Sequence, residues 1–131
     1  MLPYDRDIRD PRQLGVTVLL GNGKGGFTAM RGSPFSLAGC RGPDRIATGD
    51  LDGDGARDIV VSCAQNNRIM VYRPDKDGTF HVSMQEVQTG WSGIAVGDLN
   101  GDGKADIAVS NSLPDPGVNP PRGTVTIFFS K

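Results

Sequence analysis

A chain of 131 residues is long enough for one domain with a single hydrophobic core. Its 19 glycines and nine prolines, with only 6% aromatic residues, are typical of short strands joined by many turns, and no amphipathic helical period stands out. The net charge is −1 and the basic residues are scattered, so we expect no nucleic-acid partner. There is no apolar run of about 18 residues and no hydrophobic region after Met1, so we expect neither a membrane span nor a signal peptide.

The first part of the chain contains fewer strands than the rest. Residues 1–13 are charged and contain proline, and we interpret them as a lead-in. Residues 14–41 carry two strand candidates, at about 15–20 and 27–35. The glycine-rich segment Asn22-Gly-Lys-Gly-Gly-Phe27 joins them as a turn. We therefore expect a partial structural unit here.

Residues 42–89 form one complete unit with four strand candidates. These lie at about 45–50, 57–63, 68–73 and 79–87. Asp77-Gly78 is a hairpin signal that joins the third candidate to the fourth. The continuously apolar run Ile59-Val60-Val61 is expected of a strand that is covered on both faces, whereas the more polar fourth strand looks peripheral.

Residues 90–131 repeat this unit without its last strand. Segments 42–62 and 90–110 are identical at 13 of 21 positions, and a strand-like segment follows at 124–129 after the proline-rich insertion 112–122. Units of four antiparallel strands that recur at about 40–50 residues are typical of β-propeller blades. We therefore predict an all-β fold of four-stranded antiparallel β-propeller blades, a partial propeller with about two to three blades.

An oxygen-rich nonapeptide joins the first strand to the second in each of the last two units. Alternating carboxylates suit a hard cation that takes six to eight oxygen ligands at about 2.3–2.6 Å, and the glycines between them permit the tight turn. We predict two Ca²⁺ sites, of which the first, with four carboxylates against three, should bind more tightly. The candidate ligands are Asp50, Asp52, Asp54, the Ala56 carbonyl and Asp58 in the first loop, and Asp98, Asn100, Asp102, the Lys104 carbonyl and Asp106 in the second.

Two other interpretations of these loops compete with the calcium site, and the sequence excludes the first of them, an EF-hand. An EF-hand requires a glutamate at the twelfth position and flanking helices, but those positions are Val61 and Val109 and the flanks are strand-like. The loops could also be Asp/Gly-rich surface turns that bind nothing. Against this, clustered carboxylates repel one another unless a cation lies between them.

The repeated motif resembles the FG-GAP/VCBS repeat. The pattern Ile-Ala-x-Gly-Asp-Leu-Asp/Asn-Gly-Asp-Gly-x-x-Asp-Ile-x-Val-Ser alternates with Val-x-Val-Leu-Leu-Gly-Asn-Gly-x-Gly-x-Phe over residues 14–131. This family supplies the calcium-binding blades of integrin α-subunits and of many bacterial extracellular proteins. The resemblance implies a seven- or eight-bladed integrin-like propeller, structural calcium in the loops, and adhesion or ligand binding. The ten ligand positions given above match the family's ligand positions.

The remaining chemically active side chains give weaker signals. Cys40 and Cys63 have neither metal-ligand nor redox spacing, and we expect buried free thiols, although they could pair if the fold brought them together. His81 has no partner motif, and we interpret it as an exposed strand residue. Trp91 is a weak candidate for a ligand-binding platform, with packing between blades as the alternative.

These observations favour a non-catalytic, calcium-binding repeat module with an adhesion, ligand-binding or scaffold role in a larger extracellular or periplasmic protein. A carbohydrate or protein ligand is the expected partner. The alternatives are a self-assembling structural module and an accessory domain of a polysaccharide-acting enzyme. Because a full propeller of this family needs roughly 350–450 residues, we expect the chain to be part of a longer propeller chain, a homo-oligomer, or a wedge of blades that calcium stabilises.

Overall fold

The computed structural model describes residues 15–87, 93–111 and 123–131, and these ranges consist of strands and turns. They contain no helix that is long and apolar enough to cross a membrane. The chain divides into two compact units, Met1–Gly39 and Cys40–Lys131. The strands of the described residues are β1 (Gly15–Val16), β2 (Leu19–Gly21), β3 (Phe27–Ala29), β4 (Phe35–Ser36), β5 (Pro43–Gly49), β6 (Asp58–Cys63), β7 (Arg68–Pro74), β8 (Phe80–Glu86), β9 (Ile94–Gly97), β10 (Asp106–Asn111) and β11 (Thr124–Phe128).

The first unit contains two short antiparallel pairs, β1 with β4 and β2 with β3. The sequence predicts one strand over 15–20, but the structure divides it into β1 and β2. The division arises because the Val18 N–H donates to the Ser33 hydroxyl (3.1 Å), while the Val18 carbonyl accepts from the Met30 N–H (2.7 Å). Extra residues on the returning chain thus shift the register between the two pairs.

The first sheet of the second unit has four antiparallel strands in the order β5-β6-β7-β8. Each lies within two residues of the strand that the sequence predicts. Every residue of β6 is buried, as the apolar run Ile59-Val60-Val61 leads us to expect. The edge strand β8 is mostly exposed, in agreement with its polar sequence.

The second sheet of this unit has the order β11-β10-β9 and three strands in the described residues. Its β9-β10 hairpin repeats the β5-β6 hairpin, since Asp106 pairs with Gly97 as Asp58 pairs with Gly49. The Ser62 and Ser110 hydroxyls accept hydrogen bonds at the other end of the two hairpins, from the Arg45 and Gly93 N–H groups (3.0 Å each). The predicted boundaries at 41/42 and 89/90 stay predictions.

One hydrophobic core lies between the two sheets of the second unit. It contains Leu51, Val60, Ile69, Val71, Val87, Ile107 and Val109, with Ile94, Val96, Ala105 and Phe128 packed against it. The sheets approach closely at Gly49, where an added Cβ would lie 2.5 Å from Val96 Cγ1 and 3.2 Å from Ala105 Cβ. Glycine is therefore required at this position for the blades to pack, which fixes the first loop against the second sheet.

The expectation of free thiols at Cys40 and Cys63 is wrong, because the two residues form a disulfide with a Cα–Cα distance of 5.2 Å. The pairing follows from the sheet register. Cys63 ends β6 opposite Pro43, the first residue of β5, so that Cys40 lies just outside the same end of the hairpin. Hydrogen bonds from the Ala64 and Gln65 N–H groups to the Gly42 and Arg41 carbonyls hold the adjoining segments together.

Candidate metal centre

The first loop connects β5 to β6 and winds around the carboxylate of Asp50. Asp50 Oδ1 accepts the N–H groups of Gly53 (2.7 Å) and Asp54 (3.2 Å), and Oδ2 accepts that of Gly55 (2.9 Å). Gly53 and Gly55 have φ of 79° and 88°, the left-handed region that glycine adopts without strain. The Asp-x-x-Gly-x-Gly spacing therefore produces a backbone turn that points three N–H groups at one carboxylate.

The other acidic side chains of the loop continue this winding. Asp52 Oδ1 accepts the Asp54 N–H (3.1 Å), and Asp54 Oδ1 accepts the Ala56 N–H (2.8 Å). Asp58, at the start of β6, accepts the Leu51 N–H with Oδ2 (2.8 Å) and so closes the loop. The Leu51 side chain is buried in the core, which ties the loop to the sheet packing.

Oxygen atoms of three carboxylates of this loop lie close together. Asp50, Asp52 and Asp58 each offer an oxygen, and these oxygens lie within 4.8 Å of one another. Two oxygens that bind one Ca²⁺ at about 2.3–2.6 Å can be no more than about 5 Å apart, so this spacing fits a single ion. Asp54 does not belong to this group, and its carboxylate is directed to the Ala56 N–H instead.

Burial, neighbouring negative charges and backbone N–H groups shift the pKa values of the three clustered aspartates. Burial raises the pKa of Asp58 despite the Leu51 N–H, and the charges of Asp52 and Asp54 raise it further. The Asp54 N–H lowers the pKa of Asp52, but burial and the neighbouring carboxylates of Asp54 and Asp50 outweigh it and raise that pKa. For Asp50 the hydrogen bond from Gly55, supported by Gly53 and Asp54, dominates and lowers the pKa.

Asp58 Oδ1 has no hydrogen-bond partner although Asp58 is fully buried. The guanidinium Nε of Arg73 is the other buried side-chain atom without a partner among the described residues. A buried carboxylate oxygen without a donor costs free energy unless a charge compensates it. The oxygen-only donor set and this unsatisfied atom fit a hard cation such as Ca²⁺.

The second loop, between β9 and β10, repeats the first bond for bond. Asp98 accepts the N–H groups of Gly101 (2.7 Å), Asp102 (3.2 Å) and Gly103 (2.9 Å). The remaining bonds run from the Asp102 N–H to Asn100 Oδ1 (3.3 Å), from the Lys104 N–H to Asp102 Oδ1 (2.9 Å) and from the Leu99 N–H to Asp106 Oδ2 (2.9 Å). Because Asn100 stands where the first loop has Asp52, the equivalent group holds two carboxylates instead of three.

The closing aspartate of the second loop is fully satisfied by hydrogen bonds. Asp106 Oδ1 accepts both the N–H (3.0 Å) and the hydroxyl (3.3 Å) of Ser130, just after β11. The Ser130 N–H, then the Leu99 N–H and the Ser130 hydroxyl, lower the pKa of Asp106 although burial opposes them. Asp58 and Asp106 are both fully buried, yet their pKa values shift in opposite directions.

The two loops touch each other. The Ala105 N–H donates to the Asp50 carbonyl (2.7 Å), and a Cβ on Gly53 would lie 3.4 Å from Lys104 Cγ. The carbonyl of Lys104, a candidate ligand of the second loop, belongs to the same peptide group as that Ala105 N–H. One peptide group therefore adjoins both candidate sites.

The sequence did not point to Ser130 as a residue of the site. It lies 24 positions after Asp106, just after β11, in a segment that carries no motif. The signal that could have found it is the alignment of 68–73 with 124–129, which puts Ser130 at the position of Pro74. Of the other candidates, Trp91 lies outside the described residues, and His81 is exposed on β8, as the sequence predicts.

A model of the FG-GAP-like repeat matches residues 10–61 and 50–109 of the chain, which together cover well over half of it. The chain belongs to the FG-GAP-like repeat family. The two matches overlap on the first aspartate loop, so the second match carries an aspartate loop near each end. Comparison with curated proteins and comparison with solved structures both found no match.

The family match and the strand topology together confirm the predicted fold, all-β with antiparallel β-propeller-type blades. FG-GAP repeats often bind Ca²⁺, are generally non-catalytic, and typically occur in extracellular proteins. The family also suggests interaction with a protein or another ligand within a larger chain. The FG-GAP chain is thus a propeller-type repeat module with an acidic cluster in its first loop.

Proposed function

We propose that this FG-GAP module binds Ca²⁺ in its aspartate loops and uses the ion to hold successive blades in place. The observation that carries the proposal is Asp58 Oδ1, a buried carboxylate oxygen without a hydrogen bond, beside the carboxylates of Asp50 and Asp52. Burial and the neighbouring charges of Asp52 and Asp54 raise the pKa of Asp58, and a divalent cation would offset both effects and supply the missing partner.

The ligands of the first site would be the clustered Asp50, Asp52 and Asp58 with the Ala56 carbonyl, and Asp54 would join them through the oxygen that does not accept the Ala56 N–H. In the second loop Asp98, Asn100, Asp102 and Asp106 would act with the Lys104 carbonyl. Asp50 and Asp98 each accept three N–H groups of the loop backbone, which leaves about one of four lone-pair positions, on Oδ2, for an ion. The loop backbone therefore holds these carboxylates in place before an ion binds.

A structural ion would make a large contribution to the stability of this chain. Extracellular calcium modules bind with Kd of about 10⁻⁴–10⁻³ M. At 1 mM free calcium such a site would add about 0.4–1.4 kcal/mol, and a tighter site with Kd near 10⁻⁵ M would add about 2.7 kcal/mol. Cytosolic calcium is too low to fill weak sites, so this role accords with an extracellular or periplasmic setting.

Calcium titration by calorimetry, with melting curves in EDTA and in 1 mM Ca²⁺, tests the proposal. We expect binding heat and a higher Tm with calcium. Asp52→Asn gives the first loop the amide of the second, and Asn100→Asp is the reciprocal variant. Asp52→Asn should weaken calcium binding at the first loop, and Asn100→Asp should strengthen calcium binding at the second. The absence of heat, together with equal Tm values in EDTA and calcium, would contradict calcium binding.

A second role, assembly with a further blade or a second copy of the chain, is favoured by an exposed apolar face on the second sheet. Three positions that are buried in the first sheet and its loop are exposed at the equivalent places of the second sheet and its loop. The equivalent pairs are Leu51 (3% exposed) and Leu99 (54%), Ile69 (1%) and Val125 (67%), and Val71 (6%) and Ile127 (45%). In the first sheet this face is covered by β9 and β10 of the next sheet.

Analytical ultracentrifugation in calcium and in EDTA tests self-assembly. We expect association that Ile127→Asp abolishes, while Met84→Asp on the edge strand β8, at a residue that is also exposed, serves as the control. A strict monomer in millimolar calcium would exclude self-assembly and leave a further blade of a longer chain as the covering partner.

We propose adhesion or ligand binding, to a carbohydrate or a protein, as the role of the assembled propeller, and no catalytic role. Glycan arrays and pull-downs in calcium test ligand binding, with Trp91→Ala as the variant that should lose it. If Trp91→Ala changes stability alone, the tryptophan is a packing residue. Turnover of acidic polysaccharides that is lost in Asp50→Ala would contradict the non-catalytic assignment.

A further inference from the structure

The two aspartate loops differ in the partners of one oxygen atom. Asp106 Oδ1 accepts the N–H and the hydroxyl of Ser130, whereas Asp58 Oδ1 accepts no hydrogen bond. The bonds to the other oxygen are alike, from Leu51 at 2.8 Å and from Leu99 at 2.9 Å. The difference therefore arises outside the loops themselves.

The sheet register identifies the residue that causes the difference. Ile59, next to Asp58, pairs with Tyr72, and Ile107, next to Asp106, pairs with Phe128. Counting two residues further along each partner strand leads to Pro74 and to Ser130. Proline has neither a backbone N–H nor a hydroxyl, so it cannot supply either of the bonds that Ser130 donates.

We propose that Ser130 supplies to the second loop part of what a cation supplies to the first, so that the order of the first loop depends on calcium more strongly than the order of the second. A carboxylate has about four lone-pair positions. Asp58 uses one of them in the protein, and Asp106 uses at least three. The inference rests on the proposed calcium binding, and it adds Pro74 and Ser130 as the residues that set the calcium dependence.

Arg73 offers a rival account of Asp58. Its Nε is buried without a partner, and its charge lowers the pKa of Asp58, although less than burial raises it. Within the described part of the chain, however, no ion pair of 4.0 Å or less joins Arg73 to Asp58. If the guanidinium satisfied Asp58 in solution, the first loop would need no cation, and the experiment must separate the two cases.

The test exchanges the two residues in the full chain, as Pro74→Ser and Ser130→Pro, and records melting in EDTA and calcium titrations by calorimetry. Pro74→Ser should raise the Tm in EDTA and weaken calcium binding at the first loop on the order of tenfold, because a hydrogen bond to a charged group then competes with the ion. Ser130→Pro should lower the Tm in EDTA and enlarge the rise in Tm that calcium produces.

Matched variants keep the result interpretable. Pro74→Ala introduces an N–H without a hydroxyl, and Ser130→Ala removes the hydroxyl and keeps the N–H. Each should therefore shift the Tm in EDTA by less than Pro74→Ser or Ser130→Pro does. If Ser130→Pro does not fold, Ser130→Ala and the two Pro74 variants still carry the test. Because the Tm in EDTA needs no metal, the comparison of Pro74→Ser with Pro74→Ala remains decisive if the parent protein binds no calcium.

Two outcomes would overturn the inference. One is that Pro74→Ser changes neither the Tm in EDTA nor the calcium affinity. The other is that Arg73→Met lowers the Tm in EDTA while Pro74→Ser does not raise it, which would assign Asp58 to the guanidinium. A parent protein without calcium binding whose Pro74→Ser variant still gains stability in EDTA would refute the proposed function, and with it the calcium part of the inference, but would uphold Pro74 as the reason why Asp58 Oδ1 lacks a donor.

Discussion

The first and second aspartate loops of this FG-GAP chain share their sequence pattern, their left-handed glycines and their backbone hydrogen bonds, but their surroundings differ. The first carries three clustered carboxylates and a buried oxygen without a donor. The second has Asn100 in place of one carboxylate and Ser130 bound to its closing aspartate. The repeated motif thus specifies the turn. Residues at the end of the neighbouring strand determine how many hydrogen bonds the closing aspartate of each loop accepts.

The difference extends to the far ends of the two hairpins. The β5-β6 hairpin is closed by the Cys40–Cys63 disulfide, whereas Asn111 stands at the position of Cys63 in the β9-β10 hairpin. In both hairpins a serine hydroxyl, Ser62 or Ser110, accepts a backbone N–H from the segment beside it, that of Arg45 or Gly93. The β5-β6 hairpin, which contains Asp58, therefore has a covalent link in addition to its hydrogen bonds. The described part of the β9-β10 hairpin, which contains Asp106, is held by hydrogen bonds.

Removing the disulfide should give the largest effect. The bond joins residues 23 positions apart, for which the loop-closure model gives about 3 kcal/mol of stabilisation. We expect the Cys40→Ser, Cys63→Ser double variant to melt at a clearly lower temperature. Hydrogen exchange should increase in β5 and β6 more than in β9 and β10. Equal loss of protection in both sheets would contradict the view that the two hairpins are held separately.

The same change at the two closing aspartates should have opposite effects without metal. In EDTA at neutral pH, Asp58→Asn should raise the Tm, because it removes a buried negative charge and its amide can donate to the carboxylates of Asp50 or Asp52. Asp106→Asn should lower the Tm by several degrees, since an amide N–H would replace an acceptor of the Ser130 or Leu99 N–H. In calcium, Asp58→Asn should lose the stabilisation by the ion.

The pH dependence of these variants follows from the pKa shifts. The folded pKa of Asp58 is raised above 3.8, so its favourable contribution exists below that value and is lost as the pH rises through the folded pKa. The advantage of Asp58→Asn in EDTA should therefore grow from pH 3 to pH 7. The folded pKa of Asp106 is lowered, so its contribution exists above 3.8 and is lost in acid. Parallel pH profiles for the two variants would contradict this assignment.

Local sequence signals predicted the strands and the loops well because they reflect short-range chemistry. The Asp/Gly spacing predicts the turn around Asp50, and the apolar run Ile59-Val60-Val61 predicts a buried central strand. The disulfide and the contact of Ser130 with Asp106 depend on which residues the antiparallel register places side by side. Spacing along the chain carries little of that information, so the free-thiol prediction for Cys40 and Cys63 failed.

The smallest effect should come from the hydrogen bond that joins the two loops. Ala105→Pro removes the N–H that donates to the Asp50 carbonyl, at a net cost of about 1 kcal/mol. Arg57→Pro is the matched control, because it changes the equivalent position of the first loop. We expect Ala105→Pro to lower the Tm further than Arg57→Pro does, and to weaken calcium binding at the first loop, since Asp50 loses a support for its backbone.

This bond also decides whether the two loops respond to calcium together. An ion on the Lys104 carbonyl would polarise the peptide group whose N–H contacts the Asp50 carbonyl, and would strengthen that hydrogen bond. Asp102→Ala, which weakens the second site alone, should then lower the calcium affinity of the first loop in the parent but not in Ala105→Pro. If Asp102→Ala lowers that affinity equally in both backgrounds, the loops are coupled through the packed sheets and not through this peptide group.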